Sequence, residues 1–190
     1  MEANTLYSIG HGNRSAEELT SLLKEYGIQY LIDVRSSPFS KFNPHFNQNA
    51  LKFSVEKEGV KYVFMGDVLG GRPEDKTCYD DEGKVDYEAI KTKDFFKQGI
   101  ERIKIAYEKN IKVALMCSES KPQECHRSKL IGEALRDENI SIQHIDEKGK
   151  LKTQNAVILE LTKGHNPINL FGETETTVSS SRKKYVDEEL

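Results

Sequence analysis

The segment LMCSESKPQECHRSKL, residues 115–130, gathers Cys117, Glu119, Cys125, His126, Arg127 and Ser128 between an apolar run and a helix start. Three kinds of chemistry use such a set. A thiolate near a helix N-terminus is stabilised and nucleophilic, which makes Cys117 a candidate nucleophile, with Glu119 and His126 as candidate proton carriers. Cys117, Cys125 and His126 are also soft or borderline metal donors. Adjacent residues on one helix point roughly 100° apart, however, and no Cys-x-x-Cys pair is present, so no zinc site is expected. The third use is an anion cradle, in which Arg127 offers a planar fork of donors and Ser128 adds a hydroxyl beside unpaired helix N–H groups. In that cradle Cys117 is a buried thiol that only packs.

Arginines recur at the ends of other apolar runs. SIGHGNRS carries Arg14, LIDVRSSPFSK carries Arg35 and Lys41, and YVFMGDVLGGR carries Arg72 after Gly70 and Gly71. If those runs are parallel strands, their carboxyl ends share one edge of a sheet, which is where open α/β folds bind ligands. Arg14, Arg35, Arg72 and Arg127 are then expected to converge on one anion site. Each arginine taken singly is equally consistent with a surface salt bridge. In GHGNRS, Gly10 and Gly12 permit a sharp turn and close backbone approach, while His11 and Asn13 project donors and acceptors from it. The spacing is not the dinucleotide fingerprint, and it names no cofactor. Asp33, closing an apolar run, either pairs with an arginine or acts as a general base. Phe39, Phe42 and Phe46 alternate with Lys41, Asn43 and His45, which suits base stacking with phosphate neutralisation or simple docking of a loop on its own core.

The elements that must hold these residues follow from periodicity. TLYSI, YLIDV, KYVFM, KVALM and ISIQHI are strand candidates, rich in β-branched and aromatic residues. Leu19, Leu22, Leu23 and Tyr26 fall at helical spacing behind a capping box of Ser15 and Glu18. Phe96, Ile100, Ile103 and Tyr107 form a second helical stripe. Ser120 with Gln123, and Pro122 between them, predicts a helix starting ahead of Cys125. The alternation predicts an α/β fold, a mostly parallel sheet of about five strands with helices on both faces. HIDEKGKLKT suggests a short hairpin and NAVILELTK a short helix. Residues 75–88 are too polar for a core element and read as an inserted surface loop, so the domain is expected over 1–171. From Gly172 the chain is nearly free of apolar residues and is expected to be a mobile tail over 172–190.

Composition bounds the rest. A chain of 190 residues suits one compact domain with appendages. A net charge of −3 excludes a broadly basic nucleic-acid coat, while leaving room for a local positive pocket. No apolar run approaches the roughly 20 residues of a membrane span, and MEANTLYSIG has no signal-peptide pattern. Three cysteines form an odd, sparse set that reads as reduced thiols. A cytoplasmic protein is expected, and the sequence names no oligomeric state.

Four motifs in order, from YSIGHGNRS through LIDVRSSPFSKFNPHFN and LGGRPED to CSESKPQECHRSKLI, resemble the domain-of-unknown-function family 488 over about Tyr7 to Ile145. Gly12 stands where that pattern commonly has serine and Lys41 where it commonly has arginine, which loses the planar fork. The resemblance implies a compact α/β domain and assigns no catalytic residue. Cys117 at the end of KVALMC, with LIDVR upstream, also looks like a sulfurtransferase of the rhodanese type or a phosphatase. In those enzymes a much tighter loop joins cysteine to arginine, whereas nine residues lie between Cys117 and Arg127.

The leading expectation is an enzyme acting on a phosphate-bearing ligand, a nucleotide or nucleic-acid end, with Asp33, Glu119 or His126 moving a proton. The alternative is a non-catalytic module that senses a nucleotide or nucleic acid through the same crevice. Thiol chemistry at Cys117 is the third. The expected partner is an anionic small molecule or nucleic acid, not a membrane.

Overall fold

The computed structural model describes residues 4–168 and 172–185. All five apolar runs are strands: β1 (Leu6–Gly10), β2 (Tyr30–Asp33), β3 (Lys61–Phe64), β5 (Val113–Cys117) and β6 (Ile142–Ile145). With β7 (Leu151–Thr153) they form a six-stranded sheet in the order β3-β2-β5-β1-β6-β7. Only β7 runs antiparallel in it, closing the hairpin expected after β6. A separate two-stranded ribbon pairs β4 (Lys84–Asp86) with β8 (Ser180–Lys184).

Eight α-helices accompany the strands among the described residues: α1 (Ala16–Glu25), α2 (Gln48–Lys57), α3 (Gly66–Leu69), α4 (Tyr87–Thr92), α5 (Asp94–Glu108), α6 (Glu133–Asp137), α7 (Gln154–Leu161) and α8 (Thr176–Ser179). Ser15 and Glu18 close the capping box of α1 reciprocally, at 3.1 and 2.7 Å. Strand residues alternate between two cores because successive side chains point to opposite faces. Val113, Leu115 and Cys117 pack on the α5–α6 side with Phe96, Ile103 and Leu135. Ala114 and Met116 pack on the α1–α2 side with Leu19, Leu23, Leu51 and Val55.

That two-sided packing opens a crevice at one edge of the sheet. The neighbours β2 and β5 send their following helices, α2 and α6, to opposite faces of the sheet. Their carboxyl ends therefore part and leave a crevice, the topological switch point at which α/β sheets bind ligands. Arg35 follows β2 there, and Cys117 ends β5.

Three expectations change. Residues 75–88 are not merely a surface loop: they contain β4 and bury Cys78, Val85 and Tyr87, three apolar anchors spaced among acids and lysines. The supposed tail over 172–185 folds back as α8 and β8, burying Val178, because β4 offers an unpaired edge that backbone hydrogen bonds fill. Its last residues, 186–190, and the expected domain end at 171 lie outside the described residues. Finally, Ser120 does not start the helix. Pro122–Glu124 make one 3₁₀ turn, Cys125 is extended at φ −121° and ψ 148°, and a π-helical turn over Arg127–Gly132 then runs into α6.

Candidate functional site

The break at Cys125 builds the site. An extended residue directly before a helical one frees adjacent side chains from helical divergence, so Cys125 and His126 face the same way. The Sγ atoms of Cys117 and Cys125 lie 3.5 and 3.6 Å from His126 Nδ1. The separation expected from a shared helix is thereby corrected: Cys117, Cys125 and His126 bring their donor atoms within 4.8 Å of one another. On the other side of His126, Nε2 lies 3.1 Å from the Val34 carbonyl, and Gly71 presses on the ring. A Cβ at Gly71 would stand 2.7 Å from His126 Cγ.

Glu119 completes the cluster, with Oε2 3.0 Å from Cys117 Sγ. The charges are interdependent. The Cys117 thiol is held well below the usual thiol range, first by the Cys125 thiol that hydrogen-bonds to it, against the opposing effect of burial, and then by His126. Burial raises Cys125 and Glu119, and the neighbouring Cys117 charge raises both further. Burial is the largest single effect and lowers His126, but the charge and hydrogen bond of Cys117, with the Glu119 charge and the Val34 carbonyl, together outweigh it and raise the imidazole. The cluster therefore favours a Cys117 thiolate beside a protonated His126.

Cys117, Glu119 and His126 line a cavity of about 280 Å³ whose cations are Arg35, Arg72, Arg182 and Lys183. Ser36, Ser37 and Ser118 add hydroxyls, and Tyr87 and Tyr185 add rings. The Arg72 guanidinium lies 4.4 Å over the Tyr185 ring, and its backbone N–H donates to Ser36 Oγ at 2.9 Å. Arg182 pairs with Glu124 at 3.3 Å on the rim.

The four arginines expected to converge divide instead. Arg35 and Arg72 reach the cavity. Arg127 is fully buried and spends its guanidinium on the Glu119 and Ser120 carbonyls, at 2.8 and 3.1 Å, bracing the loop after Cys117. Arg14 donates to the Gly10 and Asp146 carbonyls. Neither Arg127 nor Arg14 lines the cavity, because backbone carbonyls reach them first. Asp33 is buried and grips Arg35 in a bidentate pair, at 2.8 and 2.6 Å, while the Tyr62 hydroxyl donates to it at 2.8 Å. A carboxylate so committed orients Arg35 and has no lone pair facing the cavity chemistry.

The remaining candidates are structural or peripheral. Ser128 donates to the Pro122 and Cys125 carbonyls inside the core. Gly10 lies under the same loop, where a Cβ would stand 1.7 Å from the Glu119 carbonyl oxygen, and Gly70 is packed against Ser36. His11 is buried and stacked on Phe46 at 4.4 Å, with burial lowering it to about 4. Asn13 and Lys41 are exposed and off the cavity. The aromatic loop splits, with Phe46 in the core and Phe39 and Phe42 in solvent. What the sequence reading missed is the basic run SSRKKY, which supplies Arg182, Lys183 and Tyr185.

Residues 15–134 match the family described as Domain of unknown function DUF488. The chain belongs to that family. The DUF488 match is shorter than the stretch from Tyr7 to Ile145 over which the motifs resemble it. It includes Arg35, Gly71, Arg72, Cys117, Glu119, Cys125 and His126, so the sulfur cluster and half of the cavity's cations fall within DUF488. The turn at Gly10–Arg14 and the β8 residues fall outside it. No curated protein matches the chain. Among the described residues no helix is long and apolar enough to cross a membrane.

Proposed function

We propose that the chain is a cysteine-dependent enzyme acting on a small anionic substrate, with Cys117 as nucleophile and His126 as the group that holds its proton. One observation carries the reading. Cys117 Sγ stands on the wall of a cavity lined by Arg35, Arg72, Arg182 and Lys183, with His126 Nδ1 at 3.5 Å. Four cations suit a phosphate or another oxyanion, which keeps the phosphate-bearing ligand expected first from the sequence. The nucleophile comes from the expectation placed third.

The chemistry follows from the geometry. His126 Nδ1 takes the thiol proton, Sγ forms a bond to the electrophilic atom of the substrate, and the leaving group departs with the proton from His126. Glu119 is placed to take a proton from the water that releases the adduct, restoring the thiol. Asp33 serves by fixing Arg35, a positioning role.

The test is alkylation and anion protection. Iodoacetamide should modify Cys117 rapidly near neutral pH, inorganic phosphate should slow that reaction, and Cys117→Ser should keep phosphate binding while losing turnover of any phosphate ester or anhydride the protein cleaves. Slow labelling counts against a nucleophile, and slow labelling that phosphate slows further favours a non-catalytic anion sensor.

A second reading rests on the donor cluster itself. Separations of 3.5 and 3.6 Å match the edge of a zinc tetrahedron with sulfur and nitrogen ligands, about 3.5–3.8 Å for the usual bond lengths. The Val34 carbonyl on Nε2 is the outer-shell partner that such a histidine needs. One equivalent of zinc that must be chelated before either thiol reacts would establish this reading in place of the first.

A further inference from the structure

We infer that Cys125 is the resolving thiol for Cys117, so that the site reduces small anionic disulfides by closing an internal Cys117–Cys125 disulfide. The inference rests on the reading of Cys117 as a nucleophile and adds a second thiol and a substrate class to it. Three observations carry it.

The first is proximity. The two sulfurs lie within 4.8 Å of each other, and His126 Nδ1 is at 3.5 Å from one and 3.6 Å from the other. One imidazole nitrogen can therefore serve both thiols in turn. A bond of about 2.05 Å then needs the two sulfurs to close the remaining gap.

The second is order of access. Cys117 lines the cavity and Cys125 does not, being 1% exposed behind it. A reagent entering from solvent meets Cys117 first, and Cys125 can attack only what Cys117 already carries.

The third is the local chain. Cys125 sits at the joint between the 3₁₀ turn Pro122–Glu124 and the π-helical turn, outside both. Its Sγ accepts one backbone hydrogen bond, from the Arg127 N–H at 3.4 Å. Cys78, the remaining thiol, lies in a different turn, beside Asp75 and Lys93.

The steps balance. Cys117 thiolate attacks one sulfur of the substrate disulfide, forming a mixed disulfide, and the other half leaves as a thiol with the proton that His126 held. Cys125 passes its proton to His126 and attacks Cys117 Sγ. The second half of the substrate leaves and takes that proton. The substrate has gained two electrons and become two thiols, and the protein dithiol has lost two and become a disulfide. An external dithiol reductant returns it to the starting state.

The cations lining the cavity favour a disulfide that carries carboxylates, and dithiobis(nitrobenzoate) is a suitable probe. Wild-type protein should release two equivalents of thionitrobenzoate in the fast phase and retain no adduct, and peptide mapping should show Cys117 joined to Cys125. Cys125→Ser and Cys125→Ala should each release one equivalent and hold a mixed disulfide on Cys117. A wild type that keeps a stable adduct on Cys117, with no internal disulfide on mapping, overturns the resolving role while the nucleophile stands. Absence of a fast phase in wild type and both Cys125 variants overturns the nucleophile as well.

Discussion

His126 donates from Nε2 to the carbonyl of Val34, 3.1 Å away, and this contact decides which face of the ring meets Cys117. A carbonyl only accepts, so Nε2 carries the proton and Nδ1 is left to take one from sulfur. The chain segment after β2 thus sets the tautomer of a residue that follows β5.

Replacement of His126 by Asn should test that tautomer. The wild-type rate of Cys117 alkylation is expected to be nearly flat above neutral pH, because the thiol is held well below its usual range. In His126→Asn the profile should move toward the ordinary thiol value of about 8.5, with a roughly ten-fold or larger loss of rate at pH 7. An unchanged profile would remove His126 from the mechanism.

Gly71 should tolerate no side chain. A Cβ there would stand 2.7 Å from His126 Cγ and 2.9 Å from Nδ1, so Gly71→Ala must push the ring. About 1–3 kcal/mol of stability should be lost in urea melts, with slower Cys117 labelling. Wild-type labelling in Gly71→Ala would show that the ring position is not critical.

Arg127 should behave as a structural residue. Truncation to alanine strands the Glu119 and Ser120 carbonyls and opens a cavity beside β5. A loss of about 3 kcal/mol or more is expected, larger than for the exposed Arg72 on the cavity wall. Thermal denaturation of Arg127→Ala beside Arg72→Ala measures the difference, and equal melting temperatures would contradict it.

Arg182 and Lys183 should matter for anions and little for folding. Both are exposed, and among the described residues Arg182 pairs with Glu124 on the rim. The double variant Arg182→Ala, Lys183→Ala should weaken phosphate protection of Cys117 about ten-fold, as expected for a loss of roughly 1.4 kcal/mol. Undiminished protection would place the anion elsewhere.

Acid should destabilise the fold through His144. Its Nε2 donates to Gln154 Oε1 at 2.6 Å, so Nδ1 accepts from the Ser8 hydroxyl at 2.6 Å and has no room for a second proton. Burial, with the Arg127 charge adding, lowers it to about 3. The unfolded chain protonates this histidine near pH 6.5, so between about 6.5 and 3 the unfolded state binds more protons. The contribution of His144 is complete above 6.5 and is lost as pH falls toward 3. Urea midpoints measured from pH 7.5 to 4 should fall less steeply in His144→Gln than in wild type; parallel slopes would count against it.

The sequence by itself determined the five main strands, the α1 cap, the hairpin after β6 and the edge on which chemistry collects. These are local matters: β-branched runs, capping residues and turn residues act within a few positions, and parallel strands necessarily share their carboxyl ends. It also marked Arg35, Arg72, Cys117, Glu119 and His126. Tertiary structure decided their uses. Whether an arginine meets a ligand or a carbonyl depends on what else is within reach, and Arg127 and Arg14 found backbone oxygens while Arg35 found Asp33. The joining of Cys125 to His126 depended on one extended residue between two helical turns, which helical periodicity does not foresee. The basic run of β8 came to the cavity only because β4, far away in sequence, had an open edge to pair with.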